Sequence, residues 1–311
     1  NILGLGSRNV QGRPVMEVIL NHHLLDLIQD VNQSNQALES ELHLYYPQNR
    51  QLHVSLAPLK DETGMVAGSV TALHDISQLR HLERVRQDFV GNVSHELRTP
   101  ITSMKAMAET LLGGAKDDDA ILVRYLAGIN RECDRLSDLI NDLLALVRLD
   151  AKPELNREQF DLAELLTEIR EGFLLNSDFA PNLNLDLPAE NLPKVLANRG
   201  QIKQVVINLL DNAFKYTPVD GQVKLSMRRE GDWVRVAVAD TGIGIPQEEL
   251  GRIFERFYRV DKARSRAKGG TGLGLSIVKH IVEGHSGKVE VESRLNQGSV
   301  FSFTVPAAKG G

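Results

Sequence analysis

From Ile76 onward, apolar residues recur at intervals of three and four: Ile76, Leu79, Leu82, Val85, Phe89, Val93, Leu97, Ile101, Met104, Ala108, Leu111. That spacing predicts one helix of about nine turns with a narrow apolar seam. Gly113-Gly114-Ala115-Lys116 interrupts it, and Asp117 is the expected N-cap of a second helix. The second seam runs Ile121, Leu122, Tyr125, Leu126, Ile129, Cys133, Leu136, Leu139, Ile140, Leu143, Leu144 and Val147, with Pro153 just past its end. Two long helices on a short loop form an antiparallel hairpin. One hairpin cannot cover both seams, so a dimeric four-helix bundle is expected. An inert dimerisation stalk would show the same pattern.

The first helix carries Ser94-His95-Glu96-Leu97-Arg98-Thr99-Pro100. His95 and Thr99 are four apart and share a face, with Glu96 beside them. Pro100 has no N–H for the Glu96 carbonyl, so the helix is expected to weaken or bend there. Alone, His95 is a histidine on a helix surface.

The regions on either side of the hairpin read as mixed α/β. Residues 1–75 show short helical pieces at Pro14–Leu20 and His22–Asn32, then strand runs at Ser40–Tyr46, Gln51–Leu59 and Met65–Leu73. Asp61-Glu62-Thr63-Gly64 is a hairpin turn between the last two. Beyond residue 158, helices are expected at Leu162–Leu175, Gly200–Tyr216 and Gly272–Glu283. Strands are expected near Leu183–Leu187, Val195–Ala197, Gln222–Arg229, Trp233–Ala239, Lys288–Ser293 and Ser299–Val305. Hairpin-joined strands beside helices give an α/β sandwich with a largely antiparallel sheet. The connection of about 30 residues before the Gly272 helix is long enough to be functional.

Four segments of this last region carry polar or glycine residues that a plain core does not need. Asn208, Asn212 and Lys215 recur at four and three, giving one helix face two carboxamides and an ammonium. Carboxamide oxygens suit Mg²⁺, and a lysine suits phosphate. Asp240-Thr241-Gly242-Ile243-Gly244-Ile245-Pro246 follows a strand; Asp240 can accept from an exocyclic amine, which adenine has and guanine lacks at that position. Phe254-Glu255-Arg256-Phe257-Tyr258-Arg259 opens a basic stretch with Lys262, Arg264, Arg266 and Lys268. Gly269-Gly270-Thr271-Gly272-Leu273-Gly274-Leu275 leads into a helix, an anion cradle that is neither a P-loop nor a dinucleotide fingerprint.

Composition narrows the field. A net charge of −5 over 311 residues disfavours a general nucleic-acid binder. The single cysteine, Cys133, excludes an intrachain disulfide and fits packing in the seam. No apolar run approaches the ~18 residues of a membrane span. The chain opens on Asn1 within an apparent domain. The expectation is the cytoplasmic portion of a longer protein anchored in the cell membrane N-terminal to residue 1.

Taken in order, these segments resemble the sensor histidine kinases of two-component signalling over about residues 80–306. Ser94–Pro100 resembles their phosphoacceptor box, and the later segments resemble their asparagine, glycine and phenylalanine boxes. The run from Arg84 to Ala115 is similar to the phosphate-sensing PhoR and cell-wall-sensing WalK group, and residues 1–75 resemble the later half of a PAS sensor domain. Gln297 departs from a common family glycine. The resemblance implies a multidomain α+β chain. Its parts are an incomplete PAS-like unit (1–75), a signalling helix with a dimerisation and histidine-phosphotransfer hairpin (76–155), and an ATP-binding sandwich of the gyrase, Hsp90 and histidine kinase type (156–311).

It also implies roles. His95 is the phosphoacceptor and Asn212 the Mg²⁺ ligand, while Asp240 reads adenine. Asn208, Lys215, Tyr216, Gly242, Gly244, Ile245, Arg259, Gly270, Thr271, Gly272, Leu273 and Gly274 surround the ATP. The related ATPases place a water-activating glutamate one turn before the metal ligand; here that catalytic position is Asn208, which cannot act as a general base. ATP is then expected to react with a nucleophile from elsewhere. An imidazole, largely neutral near pH 7, can attack through one ring nitrogen while Glu96 takes the proton of the other. By resemblance the phosphoryl group passes to an aspartate of a response regulator, and Thr99 orients water for the reverse dephosphorylation. A nucleotide-free sensing scaffold and a gyrase-type ATPase are the alternatives. The intact nucleotide segments oppose the first and Asn208 the second.

Overall fold

The computed structural model describes residues 10–19, 21–45, 48–150, 156–176, 183–187, 192–260 and 270–308. Leu20, Tyr46, Pro153, Gly269 and the basic Lys262, Arg264, Arg266 and Lys268 lie outside them. The chain divides into two compact units, Asn1–Gly91 and Asn92–Gly311.

In the first unit, a short helix α1 (Val15–Val18) precedes α2 (His22–Ser34), whose N-cap Asn21 accepts from the Leu24 N–H at 3.0 Å. Three antiparallel strands follow: β1 (Leu38–Leu44), β2 (Arg50–Lys60) and β3 (Val66–Asp75). Alternation puts Leu42, Leu44, Leu52, Val54 and Leu56 on one face. There they bury against Leu24, Leu27 and Val31 of α2. The predicted turn forms, with Asp61 Oδ1 accepting from the N–H groups of Thr63 and Met65 at 2.8 and 3.0 Å. Helix α3 (Ser77–Leu112) leaves β3 at Asp75, which accepts from the Ser77 N–H at 3.0 Å and pairs with Arg50 at 2.7 Å. Arg80 in its first turns pairs with Glu41 of β1, and Arg84 donates to Gln51 of β2 at 3.1 Å.

In the second unit, α3 stays helical through Pro100, which is buried. The start of the next helix, α4 (Asp119–Asp150), differs from the sequence expectation. Asp117 ends a short 3₁₀ turn, and Asp118 is the cap, its Oδ1 accepting from the Ile121 N–H at 3.1 Å. Three consecutive aspartates offered the same chemistry. Cys133 is exposed on α4, its Sγ 3.4 Å from Met104 Sδ on α3. The seam positions Ile101, Leu126, Ile140 and Leu144 are likewise more than two-fifths exposed in the single chain.

The sandwich follows. Strand β4 (Glu158–Phe160), unforeseen from the sequence, pairs with β6 (Val195–Ala197). Helices α5 (Leu162–Asn176), α6 (Arg199–Tyr216) and α7 (Gly274–Gly284) cover a five-stranded sheet. Its strands are β5 (Leu183–Asp186), β7 (Val223–Glu230), β8 (Trp233–Asp240), β9 (Val289–Arg294) and β10 (Gly298–Pro306), in the order β5-β7-β8-β10-β9. Only β5–β7 is parallel among the described pairs. The core joins Val205, Leu209 and Leu210 of α6, Ile277 and Ile281 of α7, and Leu225, Val236 and Phe303 of the sheet. Leu139 and Leu146 of α4 belong to the same cluster.

The buried imidazole of His285 braces this domain. Its Nε2 accepts from the Asn198 N–H at 3.0 Å and its Nδ1 donates to the Ile281 carbonyl at 2.8 Å. Asn198 caps α6 by accepting from the Gln201 N–H at 3.0 Å, so the brace ties the end of α7 to the start of α6.

Candidate functional site

A cavity of about 480 Å³ opens between α6, α7, the end of β8 and α4. Asn208, Asn212 and Lys215 share a face of α6 because 3.6 residues make a turn, and all three line it. Asn208 Nδ2 donates to the Gly274 carbonyl at 3.3 Å, which orients its carboxamide. Tyr216, Asp240, Gly244, Ile245, Arg259, Gly270, Thr271, Gly272 and Gly274 line the same cavity. Gly242 and Leu273 do not contribute to its described lining. Leu273 is fully buried in the core beneath α7, so its side chain packs rather than binds.

Asp240 sits at the end of β8, where the sheet delivers it to the cavity floor. Its Oδ1 accepts from the Gly242 N–H at 2.8 Å. Burial pushes its carboxyl above the usual range, and the bonds from Gly242 and Ser299 pull it back. The turn beyond it needs glycine. Gly244 has φ +65°, and a Cβ there would lie 1.9 Å from the Arg294 carbonyl oxygen.

The aromatic segment packs onto the core rather than projecting from it. Phe254 meets Phe301 edge to face at 6.5 Å, the Tyr258 hydroxyl donates to Glu249, and Arg252 lies 4.3 Å over the Tyr258 ring. Phe257 takes a positive φ of 63° and donates its N–H to the Gly272 carbonyl at 2.9 Å. That bond ties together the two ends of the connection between residues 257 and 272.

Helix α4 contributes a wall that the sequence reading did not anticipate. Asp138, Asn141 and Asp142 line the cavity, as does Asp211. Thr271 Oγ1 donates to Asp142 Oδ2 at 2.7 Å. Burial pushes the Asp142 and Asp211 carboxyls up, and like charge from Asp138 adds to both shifts. Burial pushes the Lys215 ammonium down, against the opposing pull of Asp211, Asp138 and Asp142. A signal was present in these residues' spacing. Positions 138, 141 and 142 make one polar face within an apolar helix, although what faces it depends on tertiary packing.

His95 is exposed on α3 and Thr99 Oγ1 donates to its carbonyl oxygen at 3.1 Å. Glu96, the next residue, is engaged by two guanidiniums. Its Oε2 meets Arg135 of α4 at 3.4 Å and Arg259 at 3.2 Å. Arg256 of the aromatic segment pairs with Asp150 of α4 at 2.7 Å. The site thus combines a charged triphosphate-sized cavity with an exposed imidazole on an adjoining helix of the same unit.

Comparison with known proteins gives two family matches. Residues 85–152 match the His Kinase A (phospho-acceptor) domain, and residues 197–309 match the histidine kinase-, DNA gyrase B- and HSP90-like ATPase family. The chain is 36% identical over 258 residues to the sensor histidine kinase WalK of Bacillus subtilis, covering 82% of this chain and 42% of that protein. It is 34% identical over 310 residues to a sensor protein kinase WalK of Staphylococcus aureus, covering 98% of this chain and 73% of that one. Among solved structures, histidine kinase ThkA in complex with response regulator protein TrrA aligns with a TM-score of 0.59 and 26% identity, over 99% of this chain and 90% of that one. The chain spans less than half of the Bacillus relative's length.

Proposed function

The chain belongs to the sensor histidine kinases, and from that premise we propose that it moves the γ-phosphoryl group of ATP onto His95 and then to an aspartate of a response regulator. One observation carries the reading. The α6 face, Asp240 and the Gly270–Gly274 turn converge on one cavity in which Asn208 stands at the position a hydrolase needs for a base. A site of this kind binds a triphosphate without its own means of activating water, so the acceptor is the imidazole.

In this reading Asp240 accepts from the adenine amine, and Tyr216, Gly242, Gly244 and Ile245 border the base. Lys215, Arg259, Thr271 and the glycines Gly270, Gly272 and Gly274 meet the phosphates, with Leu273 fixing the turn from below. The carboxamides of Asn208 and Asn212 fit a hard cation, and Asn208 is already oriented by Gly274. Mg²⁺ held by Asn212 would screen polyphosphate charge. One ring nitrogen of His95 attacks and the other loses its proton to Glu96. Both guanidiniums use Oε2 of Glu96, which leaves Oε1 for that proton. Phosphorus exchanges its bond to the ADP oxygen for one to nitrogen, and ADP leaves.

The finer organisation is part of the same proposal. Residues 1–75 act as the later half of a PAS-type sensor, residues 76–155 as signalling helix and phosphotransfer hairpin, and residues 156–311 as the ATP-binding domain. The exposed seam of α3 and α4 supports a homodimer through a four-helix bundle. Among the described residues no helix is long and apolar enough to cross a membrane; an anchor N-terminal to this chain is proposed from the family. Thr99 adds response-regulator dephosphorylation: while its hydroxyl proton goes to the His95 carbonyl, its oxygen can still accept from a water and orient it.

Incubation with Mg-ATP is expected to give acid-labile, alkali-stable label that disappears in His95→Ala. Label that survives the substitution rejects the assignment of His95.

A further inference from the structure

The acidic wall on α4 stands where the proposed function needs phosphate. Thr271, assigned above to the phosphates, already donates to Asp142 at 2.7 Å. Lys215, assigned to the same ligand, lies within Coulombic reach of Asp138 and Asp142 as well as of Asp211 on its own helix. Asp138 and Asp142 are one turn apart on α4, so they face the cavity together. The helix is held there by Leu139, within that turn, and Leu146, one turn further on, both buried in the domain core. Two carboxylates therefore offer the hydroxyl and the ammonium what a polyphosphate would offer them.

Resting on the ATP-binding reading, we propose that Asp138 and Asp142 of α4 are an internal phosphate mimic that competes with the ATP polyphosphate for Thr271 and Lys215. A bound triphosphate and this pair compete for the same hydroxyl and ammonium, and like charges brought together in a half-buried site repel. Nucleotide binding then requires α4 to release the wall, and a closed wall lowers apparent ATP affinity by the fraction of molecules that hold it. The coupling is reciprocal: ATP loosens α4 by as much as α4 weakens ATP. Any movement of α4 therefore acts on nucleotide affinity directly, without touching the groups that perform the transfer.

The test uses the full chain, with Mg-ATP affinity measured by calorimetry and the rate of His95 labelling measured across ATP concentration. Asp138→Asn with Asp142→Asn is expected to tighten Mg-ATP binding by roughly three- to tenfold. The KM for labelling falls by a similar factor while kcat stays within about twofold, because saturating ATP opens the wild-type wall as well. Asp142→Glu, which keeps the charge, stays near wild type. Asp138→Asn alone leaves the Thr271 bond in place and gives a smaller tightening; it carries the test if the double variant does not fold. Unchanged or weaker ATP binding in the neutral variants, with labelling intact, overturns the competition and leaves the kinase reading standing. Absence of Mg-ATP binding in wild type and variants alike overturns both.

Discussion

Replacing His285 by alanine is a direct test of how the nucleotide-facing helices are held. The imidazole is fully buried, and its two nitrogens join Asn198 at the head of α6 to Ile281 near the end of α7. Truncation leaves the Asn198 N–H without its acceptor, at about 1–3 kcal/mol. It also opens a void in the core, adding about 2 kcal/mol. The expected loss for His285→Ala is about 3–5 kcal/mol. The brace is also pH-dependent. Burial, the largest cause, holds the imidazole pKa below its ordinary value; nearby Arg157 acts in the same direction, and the Ile281 carbonyl opposes both. Protonation would set an N–H against the Asn198 N–H, so the folded domain keeps the neutral ring while the unfolded chain protonates near the ordinary value of about 6.5. The brace contributes fully above that value and progressively less as the pH falls below it. The chain's only tryptophan, Trp233, starts β8 in this domain, so its fluorescence reports denaturant unfolding there. The comparison is wild type against variant near pH ~7.5 and ~5.5. A difference under about 1 kcal/mol at the higher pH refutes the energetic argument. A gap between the two proteins that does not narrow at the lower pH refutes the protonation argument.

Gly244→Ala is expected to destabilise the same domain by about 2–4 kcal/mol, since the new Cβ combines a left-handed backbone with a contact 1.9 Å from the Arg294 carbonyl oxygen; wild-type unfolding of the variant would remove that argument. Asp240→Ala should raise the Kd for ATP by roughly tenfold or more and erode a preference for ATP over GTP, read by competition binding. Retained discrimination between the two nucleotides would mean that another group reads the base. Inserting one residue after Arg80 rotates all that follows by about 100° relative to Arg80 and its Glu41 partner. The ratio of autophosphorylation to regulator dephosphorylation is expected to shift, and an unchanged ratio would uncouple the first turns of α3 from the output.

The long helices were legible because a three-and-four spacing sustained over so many turns fits little else. The face of Asn208, Asn212 and Lys215 was legible for the same reason, since helical periodicity fixes which residues share a side. Strand β4 was not. Its three residues are too short for a period-two pattern, and only pairing with Val195–Ala197 makes them a strand. The Asp118 cap was hidden among neighbours of equal chemistry, and only backbone geometry selects it. Leu273 stands in sequence among glycines that mask it, although its spacing from Ile277 and Ile281 marks the inner face of α7. Pairs distant in sequence lay beyond any local signal: Glu96 of α3 meets Arg259, and Asp142 of α4 meets Thr271, only once both helices lie against the sandwich.

The Phe257–Gly272 bond has a consequence for what the chain tolerates. Phe257 and Gly272 are bonded to each other and Phe254 is seated against Phe301, so the connection is closed at its base whatever length of chain it carries. Closing a loop costs free energy that grows only with the logarithm of its length, about 0.6 kcal/mol for each doubling. Chain length is therefore nearly free at this one edge of the cavity. Segments of quite different size and charge can be carried there on an unchanged scaffold, which makes it the place where selection can reshape the approach to the site without rebuilding the fold.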